Sequence, residues 1–152
     1  MWKKQAICAV ALVCGTVSAG VSPVCCLSLT LLCSVRDPRS FGNFFETMAI
    51  RDLRCYADAL GAKVSHYLDA NGLECDAVVH MRNGDYGLVE VKLGGKNLIE
   101  EGAVTLNALA SIIDPERAKK PAFKMILTAI GPYAYERPED GIVVCPISAL
   151  KP

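Results

Sequence analysis

The chain has 152 residues, 16 of them basic and 16 acidic, and 52% are apolar. That length suits one domain built on one core. The neutral balance excludes an argument from net charge for a nucleic-acid partner, but leaves room for a small local patch.

The charges are unevenly placed. Residues 1–35 carry only Lys3 and Lys4, and all other Lys, Arg, Asp and Glu lie in 36–152. The first stretch has the layout of a signal peptide. Lys3 and Lys4 form a positive start, Ala6 to Val13 an apolar run, and Val17-Ser18-Ala19 a small-residue cleavage site. A second apolar run, Val24 to Val35, follows Pro23. Taken at face value, this leader exports the protein or anchors it in a membrane. The competing expectation is an out-of-frame or disordered segment in front of a soluble domain spanning 36–152. Five of the eight cysteines fall in the leader (Cys8, Cys14, Cys25, Cys26, Cys33). The other three, Cys55, Cys75 and Cys145, match no zinc spacing. Cys75 and Cys145 sit in strand-like runs and are expected as buried free thiols of a reduced, cytoplasmic domain.

Phe41 to Leu60 predicts a helix. Phe45, Ala49, Tyr56 and Leu60 recur at helical spacing, with Met48, Ile50, Leu53 and Ala57 beside them. Arg51, Asp52, Arg54 and Asp58 take the opposite side, and Gly61 suits the C-terminal cap. Glu46 lies in line with Ile50, Leu53 and Ala57, on the inward side. It is either a first-turn residue satisfied by the helix dipole or an acid pointing into a site.

Lys63 to Asp69 predicts a strand closed by Asn71-Gly72. The stretch LECDAVVHMRNGDYGLVEVKL then predicts a hairpin. A two-residue Asn83-Gly84 turn would place Asp76 opposite Val91. A three-residue loop, Arg82-Asn83-Gly84, places Asp76 opposite Glu90, Glu74 opposite Lys92, Val78 opposite Leu88 and His80 opposite Tyr86. Only the second register leaves one wholly apolar face: Cys75, Ala77, Val79 and Met81 against Gly87, Val89, Val91 and Leu93. Burial selects register strongly, so the three-residue loop is preferred.

Asn97 is expected to cap a helix running to about Ile113, with Glu100 as its capping-box partner and Asp114-Pro115 as its stop. Phe123 to Ala129 and Gly141 to Pro146 predict two further strands, the first buried. The order is α-β-β-β-α-β-β, an α/β fold with a mixed sheet covered by helices and a parallel relation between the third and fourth strands.

The preferred register gathers Glu74, Asp76, Glu90 and Lys92 at the hairpin end away from the turn. Like charges set opposite each other destabilise a sheet unless a cation bridges them, one is protonated, or a lysine neutralises them. Asp76 and Glu90 suit Mg²⁺, which accepts one or two carboxylate oxygens and keeps its waters. A metal there activates water and stabilises charge on phosphate, with Lys92 orienting either one. The plainer alternative is an exposed Glu74–Lys92 ion pair with Asp76 and Glu90 simply hydrated. His66 and His80 are read as ordinary strand histidines.

Asp76, a strand turn, then Glu90-Val91-Lys92 resembles the motif of the PD-(D/E)XK nuclease-like fold, whose core runs α-β-β-β-α-β. The first helix of that fold often supplies an acid, and Glu46 occupies the matching place. The longer stretches FFETMAIRDLRCYADALGAKVSHYLDANGLECDAVV, GLVEVKLGG and AYERPEDGIVVCPISALKP resemble the C-terminal domain of unknown function of bacterial AAA-type ATP-binding proteins. This likeness covers about Phe41 to Pro152. It implies a nuclease-like domain with Asp76, Glu90, Lys92 and Glu46 as catalytic residues and Mg²⁺ on Asp76 and Glu90. The implied partners are nucleic acid, an AAA-type ATPase, or a second copy, with a membrane only through the leader. Gly95-Lys96 is no P-loop, because Glu90 stands where that motif needs glycine and Asn97 follows the lysine. The expectation is therefore an isolated C-terminal domain, a fragment without its ATPase. It acts either as a nuclease-like accessory domain or as a non-catalytic regulatory module.

Overall fold

The computed structural model describes residues 38–113 and 119–150. The leader and the Asp114-Pro115 stop lie outside the described residues. Helix α1 (Pro38–Ala59) precedes β1 (Lys63–Leu68), β2 (Glu74–His80) and β3 (Tyr86–Lys92). Helix α2 (Lys96–Ile112) leads to β4 (Phe123–Thr128), β5 (Tyr135–Glu136) and β6 (Val143–Pro146), and a 3₁₀ turn, Ile147–Ala149, follows. The expected order holds, with one addition. The two-residue β5 is too short to leave a periodic trace in sequence.

The strands form one six-stranded sheet in the order β1-β2-β3-β4-β6-β5. β1, β2 and β3 pair antiparallel, β3 with β4 and β4 with β6 run parallel, and β5 pairs antiparallel with β6. The parallel β3–β4 relation follows from α2, which carries the chain back across the sheet between them.

α1 covers one face. Its buried stripe is Phe45, Ala49, Leu53 and Ala57, every fourth residue, packed on Ala77, Val79, Val89, Val91, Met125 and Leu127. Burying one such leucine contributes about 2 kcal/mol. Tyr56 is only half-buried and Leu60 is exposed, because Leu60 lies past the last helical residue. The helix ends in a Schellman cap. Ala62 N–H donates to Ala57 O at 2.7 Å and Gly61 N–H to Asp58 O at 2.8 Å, with Gly61 at φ 67°, the left-handed conformation that glycine adopts without strain.

α2 covers the other face, where Ala103, Leu106 and Leu109 pack on Val78, Leu88, Ile126 and Val144. Both faces of the sheet are therefore core. The expected Asn97 cap does not form. α2 starts earlier: its N-cap is Gly95, two residues before Asn97 and without a side-chain cap, and Glu100 pairs with Arg137 instead, at 2.9 Å.

The hairpin adopts the three-residue loop. Met81 N–H donates to Asp85 O at 2.8 Å and Gly84 N–H to Met81 O at 3.1 Å. The strands pair Ala77 with Val89, Val78 with Leu88, Val79 with Gly87 and His80 with Tyr86. One expectation fails beyond Ala77. β1 pairs Ser65 with Val78 but Tyr67 with Cys75, so His66 alone stands opposite both Asp76 and Ala77. This bulge inserts one residue into β2 and reverses the alternation past it. Cys75 therefore leaves the α1 face expected for it and packs with Leu88 and Leu106 under α2.

Candidate functional site

β3 and β4 run parallel with Glu90 beside Ile126 and Lys92 beside Thr128. Glu90 and Lys92, two residues apart on one strand, share the α2 face. Glu90 is 3% exposed. Lys92 Nζ lies 2.8 Å from Glu90 Oε2. The lysine stem runs beneath α2, where a methyl added at Gly102 would stand 3.5 Å from Lys92 Cε. A buried carboxylate requires such a partner.

Asp76 reaches the same place by a different route. The β2–β3 pairing stops at Ala77 and Val89. The next inward donor on β3, the Val91 N–H, is taken by Asp76 Oδ2 at 2.7 Å. The bulge thus turns a carboxylate into the opening between the two strands. Glu90 is pushed up to about 7, first by burial, against the Lys92 hydrogen bond, and further by the charge of Asp76 and a hydrogen bond with it. Lys92 is raised as well. Burial acts against its charge, but its hydrogen bond to Glu90 and the charges of Glu90, Asp76 and Glu46 outweigh that.

Glu46 enters from α1. The helix begins at Pro38, so Glu46 lies well past the first turn, and the dipole reading of it is corrected. It is half-buried and its carboxyl is raised, first by burial and then by the charges of Asp76 and Glu74, with Lys92 and His66 opposing. Asp76, Glu90, Lys92 and Glu46 therefore form one electrostatically linked group drawn from α1, β2 and β3.

Glu74 does not face Lys92 as expected. Its Oε1 meets His66 Nε2 at 2.8 Å, because the bulge breaks the register that would have carried it to β3. His80, at the other end of β2, meets Ser65 Oγ at 2.7 Å. The His66–Glu74 contact was not legible in the sequence, since it depends on where a bulge falls. Cys145 and Cys75 are buried thiols, as expected, and burial pushes Cys75 up to about 11.

Among the described residues, no group of three or more His, Cys, Asp or Glu is arranged to hold a metal. A cation here would rest on two carboxylates and water. The donors are hard oxygens, which suits Mg²⁺. Two acids brought this close are tolerated when a proton or a cation offsets their charge.

The described elements define a mixed α/β domain with a six-stranded sheet between two helices. Residues 41–150 match the family model of DUF4143, a domain of unknown function, and the chain belongs to that family. Domains of this family are in general found in AAA-type ATPase proteins. Comparison with the curated proteins and with the solved structures gave no match.

Proposed function

We propose that this domain is a PD-(D/E)XK nuclease-like module of a cytoplasmic AAA-type ATP-binding protein, with a Mg²⁺-dependent site for phosphodiester chemistry. The observation that carries the reading is Glu90: 3% exposed, and held between Asp76 and Lys92 at the end of β3. A buried acid poised near neutrality in such a group is where chemistry is generally found. The element order and the Asp76…Glu90-Val91-Lys92 spacing along the paired strands also support it.

In this reading Asp76 and Glu90 present their oxygens to the cation. A bound Mg²⁺ supplies a polarised water and neutralises charge on the phosphate. Lys92 holds Glu90 in place and offers its ammonium to a phosphate oxygen or to the attacking water. Glu46 adds negative potential from α1 and accepts a proton at the rim. The neutral net charge implies weak, local contact with nucleic acid rather than tight binding.

A second reading has its own support. Asp76 is already used by the Val91 N–H and Glu90 by Lys92, and among the described residues every buried side-chain nitrogen or oxygen has a partner. Such a self-satisfied cluster suits a non-catalytic module that an ATPase uses for contact.

Thermal melting with Mg²⁺ or Mn²⁺ decides the metal. The wild type is expected to gain a few degrees at saturating cation. Asp76→Asn, which keeps an acceptor for Val91, is expected to gain none. An equal response from both would remove the cation from this site. Lys92→Ala is expected to abolish cleavage of single- or double-stranded DNA seen with wild type. Cation binding without cleavage by wild type would favour the contact module.

A further inference from the structure

β1 is an edge of the sheet. Its outer row of backbone N–H and C=O groups faces no other described strand. Sheet edges are commonly protected by shortness, proline or inward charges. The opposite edge, β5, has two residues and is protected by shortness. β1 has six, KVSHYL, with no proline, one charge at its start, and five exposed positions. Leu68 is 60% exposed and Tyr67 36%, and Leu60, just ahead of the strand, is 54% exposed. An edge of six residues with no proline and a single charge, at its start, is open to pairing with another strand.

We propose that β1 pairs antiparallel with β1 of a second copy of the chain, joining two six-stranded sheets into one about a two-fold axis at His66. The sequence of the strand selects this occupant, because it is complementary to itself. With His66 opposite His66 of the second copy, Lys63 falls opposite Asp69, Val64 opposite Leu68 and Ser65 opposite Tyr67. The pattern repeats in mirror order on the other side, as a closed two-fold interface requires. Opposite charges close both ends of the ladder: Asp69, just past the strand, keeps its Oδ1 on the Asn71 and Leu73 N–H groups of its own turn and meets Lys63 of the second copy through Oδ2. Val64, which packs toward α1, and Leu68 share one face of β1 by alternation, so the second copy supplies the apolar neighbour Leu68 lacks. Each His66 Nε2 already has a partner in its own Glu74, at 2.8 Å. The strand is short, so the association belongs to the small, concentration-dependent class of interfaces.

Sedimentation velocity of the full chain from micromolar to submillimolar concentration tests this directly. The dimer fraction is expected to rise with concentration, and the β1 amides to exchange more slowly with deuterium as it does. Leu68→Lys and Lys63→Glu are each expected to raise the dissociation constant at least about tenfold. Lys63 is exposed at the start of the strand, so its variant keeps the fold even if Leu68→Lys does not; equal melting temperatures check this. A wild type that stays monomeric throughout would overturn the proposal. So would a dimer that forms equally well in the Lys63→Glu variant, or one whose β1 amides exchange at a rate independent of concentration.

Discussion

At the scale of single residues, the energetics of the site turn on one carboxyl group. Taking an ionised carboxylate out of water costs several kcal/mol unless a partner compensates it. Glu90 has Lys92 at 2.8 Å, yet burial and the neighbouring Asp76 still raise it to about 7. The consequence for stability follows by linkage. The unfolded chain loses this proton near the ordinary glutamate value of 4.5, whereas the folded chain keeps it until about 7. The stabilisation is complete below the lower value and is lost as pH rises to the upper one. Wild type is therefore expected to lose on the order of 2 kcal/mol of unfolding free energy between about pH 5 and about pH 8. Glu90→Gln, which carries no proton to lose, should flatten most of that slope in urea denaturation. A residual slope of the same sign is expected from Glu46, whose carboxyl is raised by burial and by Asp76. Identical slopes in both proteins would mean that Glu90 does not hold its proton. If the proposed cation site forms, Mg²⁺ would compete with that same proton, and cation stabilisation should be larger at about pH 8 than at about pH 6.

At the scale of elements, β3 is held against β4 by a contact with little tolerance. Gly87 pairs with Phe123 across the parallel ladder, and a methyl at Gly87 would fall 2.1 Å from the phenyl ring. Gly87→Ala is expected to cost about 1–3 kcal/mol through forced repacking, lowering the melting temperature by several degrees. In a Phe123→Ala background the same change should be close to neutral. A cost that persists without the ring would locate the problem elsewhere. This glycine also shows how far sequence reasoning reached. Alternation in residues 73–93 was enough to select the loop Arg82-Asn83-Gly84 and the pairing of Val78 with Leu88, because only that register buries an apolar face. It was enough to bring Asp76, Glu90 and Lys92 to one end of the hairpin. It did not foresee that Cys75 turns under α2 or that Glu74 joins His66, because both follow from the bulge at Asp76-Ala77. A bulge costs one residue of register and leaves no periodic signal. The α2 start was misread for a related reason. Asn97 has the chemistry of a cap, but the two glycines before it, Gly94 at φ 117° and Gly95 at φ 91°, let the chain turn into the helix sooner.

At the scale of the whole molecule, the layers are tied together at a point the apolar pattern cannot show. Arg137, between β5 and β6, is 7% exposed. It reaches Glu100 on α2 at 2.9 Å, Glu139 at 3.0 Å and Asp140 at 3.2 Å. Asp140 in turn accepts from Asn107 on α2 at 3.3 Å and from the Ile142 N–H at 3.1 Å. The network clamps α2 onto the β5–β6 side of the sheet, and Lys124 on β4 donates to Asn107 from within it. Two partners of Arg137, Glu100 and Glu139, are well exposed, and water would satisfy them if the guanidinium were removed. Asp140 is different, with its side chain only 13% exposed. Burial acts to raise its carboxyl, but the Ile142 N–H, then the Arg137 and Asn107 hydrogen bonds, hold it below the usual range. Losing Arg137 therefore strands one buried acid rather than three. Arg137→Met is expected to cost about 2 kcal/mol, less than a fully interior ion pair, while Glu100→Gln should cost far less. The site at the end of β3 uses none of these residues, so Arg137→Met should lower the melting temperature and leave the cation-induced gain unchanged. Equal losses from Glu100→Gln and Arg137→Met would assign the clamp to the exposed pair. Loss of the cation response in Arg137→Met would show that the clamp and the site are one cooperative unit.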